Sequence, residues 1–202
     1  MEWNVALLVY AVVQFIAFFF VLVATPIDMF RAKNGQALKG CLTLWGFKDN
    51  CSSLTNDVEI STVWDSCSNR LRLFQASGAF AIISIFVYGA AFMLGVVMLL
   101  CSSNLRLVCL GLNIVGAFTV CFVWAVMAMT YLTEDGGPCP AMRTLLQYGA
   151  GFALLIIAWL LDVINVLFLL LPYNLNALSE LDNAVGNTKG EAPENSTQKG
   201  DE

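Results

Sequence analysis

Four long apolar stretches alternate with polar segments along this chain and predict four membrane-spanning helices. The stretches cover residues 3–25, 76–101, 107–132 and 149–171, and Asp162 in the fourth is the one charged residue within them. Because an α-helix rises about 1.5 Å per residue, about 20 residues cross the hydrocarbon core of a bilayer. In lipid a segment must satisfy its own backbone hydrogen bonds, which favours helices for all four stretches.

The polar segments divide the chain into a membrane domain of residues 1–172 and a tail of residues 173–202. A long loop, residues 26–75, joins the first two predicted helices, and a second loop, residues 133–148, joins the last two. Pro172 predicts the end of the fourth helix. The tail is polar and acidic, and we predict that it is disordered and cytoplasmic.

Composition excludes several classes of function. Hydrophobic residues make up 58% of the 202 residues, charged residues 12%, and the mean hydropathy is +0.73. A soluble domain of this length cannot hide so much apolar surface, and a formal net charge of -5 gives no basic footprint for nucleic acid. The chain has no histidine, which removes histidine-based triads and metal sites. We predict an integral membrane protein embedded in the lipid bilayer, without enzymatic activity, cofactor or nucleic-acid partner.

Charge and cysteine content disagree about the orientation of the loops. The two large loops carry seven Lys and Arg residues and the opposite side carries three, which by the positive-inside rule places the loops in the cytoplasm. Four loop cysteines, which could form two bridges in an oxidising compartment, favour loops outside: Cys41, Cys51, Cys67 and Cys139. We favour the outside orientation. Four cysteines allow three pairings, and the sequence does not choose among them.

Two segments of the first loop have the character of short strands. Residues 42–45 alternate apolar side chains at 42 and 44 with Thr43 and Trp45, and Gly46 permits a bend. Residues 58–64 are rich in β-branched side chains. We therefore predict a small extracellular sheet above the helix bundle.

Polar side chains inside the predicted spans require a partner or a function. Asp162 and Gln14 lie roughly 14 and 16 Å from the inner ends of their helices, and Asn165 and Asn113 also match in depth. We predict the contacts Asp162–Gln14 and Asn165–Asn113. Hydrogen bonding between helices is the interpretation that we favour, and carriage of a proton or small ion by Asp162 is the alternative.

The eleven residues CLTLWGFKDNC resemble the signature of the amastin family, the surface glycoproteins of kinetoplastid parasites. The signature asks for apolar residues at 42 and 44 and for particular residue types at seven more positions, all of which this chain meets: Cys41, Thr43, Trp45, Gly46, Lys48, Asn50 and Cys51. The four-span layout extends the resemblance over residues 1–172. We interpret the motif as a disulfide-linked hairpin that folds the loop, rather than as a ligand-binding surface.

The resemblance implies a multi-pass protein of the plasma membrane, with both termini cytoplasmic and both loops outside. It further implies a non-enzymatic role in contact with a host cell or in organising the membrane. Host-cell surface components and further copies of the chain are the expected partners. Asn50, in the sequon Asn50-Cys51-Ser52, is a candidate glycosylation site.

More distantly, the layout is similar to claudins and peripheral-myelin-type tetraspans. This resemblance implies a membrane all-α four-helix bundle with a small disulfide-linked extracellular β-sheet, and an arginine near the second helix, here Arg70 or Arg72. It favours a Cys51–Cys67 bridge, with Cys41 near Cys139. The pairing of Cys41 with Cys51 and of Cys67 with Cys139 stays open as the alternative.

Overall fold

The predicted four-helix membrane bundle with a small sheet is confirmed by the computed structural model, which describes residues 5–33, 39–53, 55–100, 105–133, 139 and 141–188. In chain order the elements are α1 (Val5–Ala24), β1 (Phe30–Ala32), β2 (Cys41–Leu42), β3 (Gly46–Lys48), β4 (Val58–Glu59), α2 (Ile60–Val63), α3 (Ser68–Leu100), α4 (Arg106–Leu132), α5 (Met142–Leu145), β5 (Leu146–Tyr148) and α6 (Ala150–Thr188). The helices α1, α3, α4 and α6 have the length and apolar composition to cross a membrane.

The four long helices pack in the cyclic order α1, α3, α4, α6. Each contacts its two neighbours in this order, so that α1 lies diagonally opposite α4 and α3 lies diagonally opposite α6. Small and medium side chains fill the interior, among them Ala17, Val21, Ala81, Val120, Val123 and Ala158. Large apolar side chains such as Phe86 and Phe118 point outward, as expected for a surface solvated by lipid.

The second long helix begins at Ser68, eight residues before the predicted start at residue 76. Polar residues between Ser68 and Gln75 gave this segment the appearance of a loop. Arg70, Phe74 and Ser77 are nevertheless buried and recur at helical spacing, so the inward-facing stripe of α3 starts before its apolar run.

The fourth long helix continues past the predicted end at Pro172. Because α6 runs to Thr188, the predicted disorder of residues 173–202 is wrong as far as Thr188, and residues 189–202 lie outside the described chain. A proline inside a helix removes one main-chain hydrogen bond and costs roughly 3 kcal/mol. Apolar residues that follow it keep helical spacing and favour continuation: Leu175, Leu178 and Leu181.

One antiparallel sheet, in the order β4-β3-β2-β1-β5, combines strands from both loops. The strand β5 comes from the second loop and pairs with β1 of the first, with Phe30 opposite Tyr148 and Ala32 opposite Leu146. We call the unit built from the residues between α1 and α3 and between α4 and α6 the loop domain. The two loops therefore fold as one structure.

Both predicted strands are shorter than expected. The first strand ends at Leu42 because residues 43–46 form a tight turn, so the predicted alternation over residues 42–45 is wrong. The second ends at Glu59, and Ile60–Val63 forms the short helix α2. Glu59 lies opposite Gly46, the first residue of β3, so residues beyond Glu59 have no strand to pair with.

The start of α6 lies against the end of α1 at a point where backbones nearly touch. The N–H groups of Gly149 and Gly151 donate to the carbonyls of Met29 and Asp28, each at 2.8 Å. A Cβ atom on Gly149 would lie 2.4 Å from the carbonyl oxygen of Asp28. A side chain at this position therefore has no space unless the backbone moves.

We expect Gly149→Ala to lower the free energy of unfolding by about 1–3 kcal/mol, because the added methyl group overpacks against backbone. Thermal unfolding of the full chain in detergent measures the effect. Gly111→Ala is the matched control, since a Cβ there would meet no atom within 4 Å. Equal unfolding midpoints for the two variants would contradict the expectation.

Candidate functional site

Thr43 organises the turn of the signature motif. Its hydroxyl donates to the carbonyl of Gly46 at 2.9 Å and accepts the N–H groups of Trp45 and Gly46, both at 3.1 Å. A Cβ on Gly46 would lie 2.3 Å from the carbonyl oxygen of Val58 in the adjacent strand. The motif therefore requires a hydroxyl at 43 to satisfy the turn and glycine at 46 to let β4 approach.

Trp45 connects this turn to the helix bundle. Its indole Nε1–H donates to the carbonyl of Thr25, just after α1, at 3.3 Å. The ring also lies over Gly78 of α3, where a Cβ would come within 3.2 Å of Trp45 Cζ3. The side chain is 36% exposed, so it remains partly accessible while bridging two helices.

Lys48 is buried and ties the motif to two other segments. Its ammonium group donates to the carbonyls of Pro26 at 3.1 Å and Ser53 at 2.9 Å. A buried ammonium requires such acceptors. Lys48 therefore holds the hairpin against the exit of α1.

The four loop cysteines form two disulfides, Cys41–Cys51 and Cys67–Cys139, with Cα–Cα distances of 5.3 and 6.0 Å. The Cys51–Cys67 pairing that the claudin resemblance favoured is wrong. Cys41 lies opposite Lys48 in the β2–β3 ladder. The residues that follow Lys48 therefore bring Cys51 close to Cys41. Cys67 stands at the start of α3, where it fixes the second loop through Cys139.

Asn50 lies at the exposed tip after β3. Its side-chain oxygen accepts the N–H of Ser52 at 3.0 Å, and its backbone oxygen accepts the N–H of Ser53. Exposure of Asn50 is compatible with a glycan, and glycosylation stays a prediction.

Of the two arginines noted near the second long helix, Arg70 is the one that packs inside the protein. It is buried, and its guanidinium carbon lies 4.8 Å from the centre of the Trp64 ring, a cation–π contact. Arg72 is exposed.

A polar column runs through the interior of the bundle. We define it by eight buried side chains, two from each long helix: Tyr10, Gln14, Ser84, Tyr88, Asn113, Thr119, Asp162 and Asn165. Three hydrogen bonds link these helices: Asn165 to Gln14 at 2.7 Å, Asn113 to Tyr10 at 3.0 Å, and Ser84 to Thr119 at 2.9 Å. The second of them crosses the diagonal between α4 and α1.

The predicted contacts Asp162–Gln14 and Asn165–Asn113 are wrong in their pairing. Tyr10 lies one turn before Gln14 on α1, and its long side chain reaches Asn113 across the bundle. The Nδ2 group of Asn113 therefore donates to Tyr10, and Asn165 bonds to Gln14 instead. Matching the depths of the side chains in the membrane identified the correct layer. It did not include Tyr10, which takes Asn113 as its hydrogen-bond partner.

Asp162 lies where α3, α4 and α6 meet, and its side chain is completely buried. A Cβ on Gly116 would lie 3.3 Å from Asp162 Oδ2 and 2.8 Å from Tyr88 Cε2, so this glycine makes room for both groups. The Tyr88 hydroxyl faces the carboxyl group. Neither group forms a well-aligned hydrogen bond to any residue that the structure describes.

Sequence reasoning identified only the acid and amide members of the polar column. Tyr10, Ser84, Tyr88 and Thr119 were missed because such residues are common in membrane helices. Their spacing was the available signal, since Ser84 and Tyr88 lie four residues apart and so share a helix face. Among the described residues, no group of three or more Cys, Asp or Glu side chains could hold a metal ion.

Comparison with known proteins gives a family match. A family model described as Amastin surface glycoprotein matches residues 15–169, which include α1 from Phe15, the loop domain and α6 as far as Leu169. A search of curated proteins found no match.

We expect Thr43→Val to open the signature hairpin at a cost of about 1–3 kcal/mol, because the isosteric valine leaves the N–H groups of the turn without their acceptor. The rate at which a mild reductant cleaves Cys41–Cys51 in the folded chain should rise. Thr43→Ser, which keeps the hydroxyl, is the matched control. Equal cleavage rates for valine and serine would show that the hydroxyl does not stabilise the turn.

Proposed function

Because the chain belongs to the amastin family of surface glycoproteins, we propose that it is a non-enzymatic protein of the plasma membrane that acts through its loop domain. The proposed role is contact between a parasite and a host cell, or organisation of the membrane around the protein. Host-cell surface components are the proposed partners in the first role, and further copies of the chain are the partners in the second.

The union of both loops in one sheet is the observation that carries this proposal. The strand β5 of the second loop pairs with β1 of the first, and the Cys67–Cys139 bridge joins the loops again. Such a unit presents a fixed surface to a partner. The side chains of Thr43, Trp45 and Lys48 are already engaged within the chain, so other exposed residues of the sheet are the ones proposed to make contact.

We propose that the loops lie outside the cell and both termini in the cytoplasm. Two disulfides support this orientation, because they require an oxidising compartment. The opposing excess of basic loop residues is weakened by burial, since Lys48 of β3 and Arg70 of α3 are both buried in the fold. Their position is explained by folding rather than by orientation in the membrane.

We expect vesicles that carry the full chain to bind host-cell monolayers above the level of protein-free vesicles of the same lipid. Replacing Cys67 and Cys139 with serine should remove this excess, because the second loop loses its covalent attachment to α3. Cys121→Ser is the matched control, since Cys121 is a free cysteine of α4. Equal binding with and without protein would contradict the cell-contact role.

Labelling with an impermeant maleimide on intact cells checks the orientation of the loops. We expect the loop cysteines to react only after prior reduction of their disulfides.

The second candidate function is movement of protons or small ions along the polar column. The observation that favours it is a set of buried polar atoms without hydrogen-bond partners among the described residues: Gln14 Nε2, the Tyr88 hydroxyl, Asn113 Oδ1, both oxygens of Asp162, and Asn165 Oδ1. Each such atom costs about 1–3 kcal/mol if it stays dry. Ordered water would satisfy these atoms and connect them.

We expect Asp162→Asn to abolish proton flux if the column conducts, because asparagine keeps the shape of the side chain but does not release a proton. Decay of a pH gradient across vesicles containing the full chain measures the flux. Asp65→Asn, at an exposed position of the loop domain, is the matched control. Unchanged flux in Asp162→Asn, or no flux in the unmodified chain, would contradict conduction and leave the column as a helix-packing device.

A further inference from the structure

The sheet of the loop domain has two edge strands, β4 at one end of the strand order and β5 at the other. The strand β1 leaves α1 after five residues, and β5 enters α6 after Gly149 alone. The turn between β2 and β3 reaches back to α1 and α3 through Trp45. The sheet is thus attached to the helices at several points, and its edge strands β4 and β5 lie at opposite ends of the strand order.

Exposed acidic residues gather at the β4 edge. We define the acidic edge by four exposed side chains on or beside β3, β4 and α2: Asp49, Asp57, Glu59 and Asp65. Asp57 lies next to Asp49 and accepts its backbone N–H at 2.8 Å. Among the residues that the structure describes, none of the basic side chains of the loop domain lies on β4 or α2.

Basic residues gather at the opposite end of the sheet. We define the basic edge by four side chains on or beside β1 and β5: Arg31, Lys33, Lys39 and Arg143. The Lys33 ammonium donates to the backbone carbonyl of Arg143, which places these two residues together. Gly40, the neighbour of Lys39, accepts the N–H of Ala32 at the end of β1. Arg31 pairs with Asp28 at 3.2 Å and still leaves half of its side chain exposed.

We propose that the loop domain binds a second copy of the same chain head to tail, with the basic edge of one copy against the acidic edge of the next. This proposal deepens the membrane-organising role given above and rests on it. The bilayer holds all copies upright, so a rotation in the membrane plane is enough to bring unlike edges together. Because the two edges are different surfaces, the contact is heterologous and repeats from copy to copy, giving rows or rings.

The strength of such a contact comes from the number of ion pairs and from the restricted orientation of the chains in the membrane. A single exposed ion pair contributes only about 0–1 kcal/mol. Four acidic side chains opposite four basic ones act together, and a membrane already restricts the orientation that association would otherwise have to fix.

The test uses the full chain, carrying donor or acceptor dyes, in vesicles, with energy transfer as the measure of association. One variant, Asp57→Lys with Glu59→Lys, cancels the charge of the acidic edge, because two lysines then stand beside the remaining Asp49 and Asp65. Another, Lys39→Glu with Arg143→Glu, cancels the charge of the basic edge in the same way. We expect each variant alone to lose association by about tenfold, the effect of about 1.4 kcal/mol. Mixing the two variants should restore energy transfer, because unlike edges meet again.

Arg72→Glu is the control for a charge reversal outside both edges, since Arg72 is exposed and lies on α3. Association of the unmodified chain should weaken as salt shortens the Debye length from about 10 Å at 0.1 M to about 3 Å at 1 M. Full association of either charge-reversed variant alone, or no restoration on mixing, would overturn the proposal. Cell binding by nanodiscs that hold one copy each tests the contact role separately, so the two proposals fail independently.

Discussion

The pairing of β1 with β5 is the contact on which the loop domain depends. It brings residues more than a hundred positions apart into one sheet and places Phe30 where aromatic rings converge. The Phe30 ring stacks on Tyr131 of α4 with centroids 5.8 Å apart and contacts Tyr148 and Phe74. This cluster joins the sheet to the helices beneath it, so sheet and bundle constrain each other.

The signature motif attaches the sheet to the helix bundle. Its conformation is determined within the motif by Thr43 and Gly46, and its attachment to the helices by Trp45 and Lys48. These four positions therefore each have a physical requirement: a hydroxyl for a turn, no side chain beside a neighbouring strand, and donors for the carbonyls that follow α1. The Cys41–Cys51 bridge then closes the hairpin.

Inside the membrane, the hydrogen bonds of the polar column help to select one arrangement of the helices. Lipid is as apolar as the helix surfaces, so the hydrophobic effect gives little preference for one helix arrangement. Hydrogen bonds that require a particular depth and face, such as those of Gln14 with Asn165 and Tyr10 with Asn113, select one register. Gly116 admits Tyr88 and Asp162 to the same layer, so the column depends on a small residue as well as on polar ones.

The sequence by itself determined the four spans, the small sheet, the layer of buried polar groups and the family, because length, hydropathy and a short motif are local properties of the chain. Tertiary structure decided the pairings. Which cysteine meets Cys51, which amide meets Gln14 and where β5 docks are set by distances across the fold. Tertiary structure also decided where two helices end. Burial of Arg70 accompanies the earlier start of α3, and continued helical spacing accompanies the extension of α6 past Pro172. Both depend on the energy of the whole segment rather than on one residue.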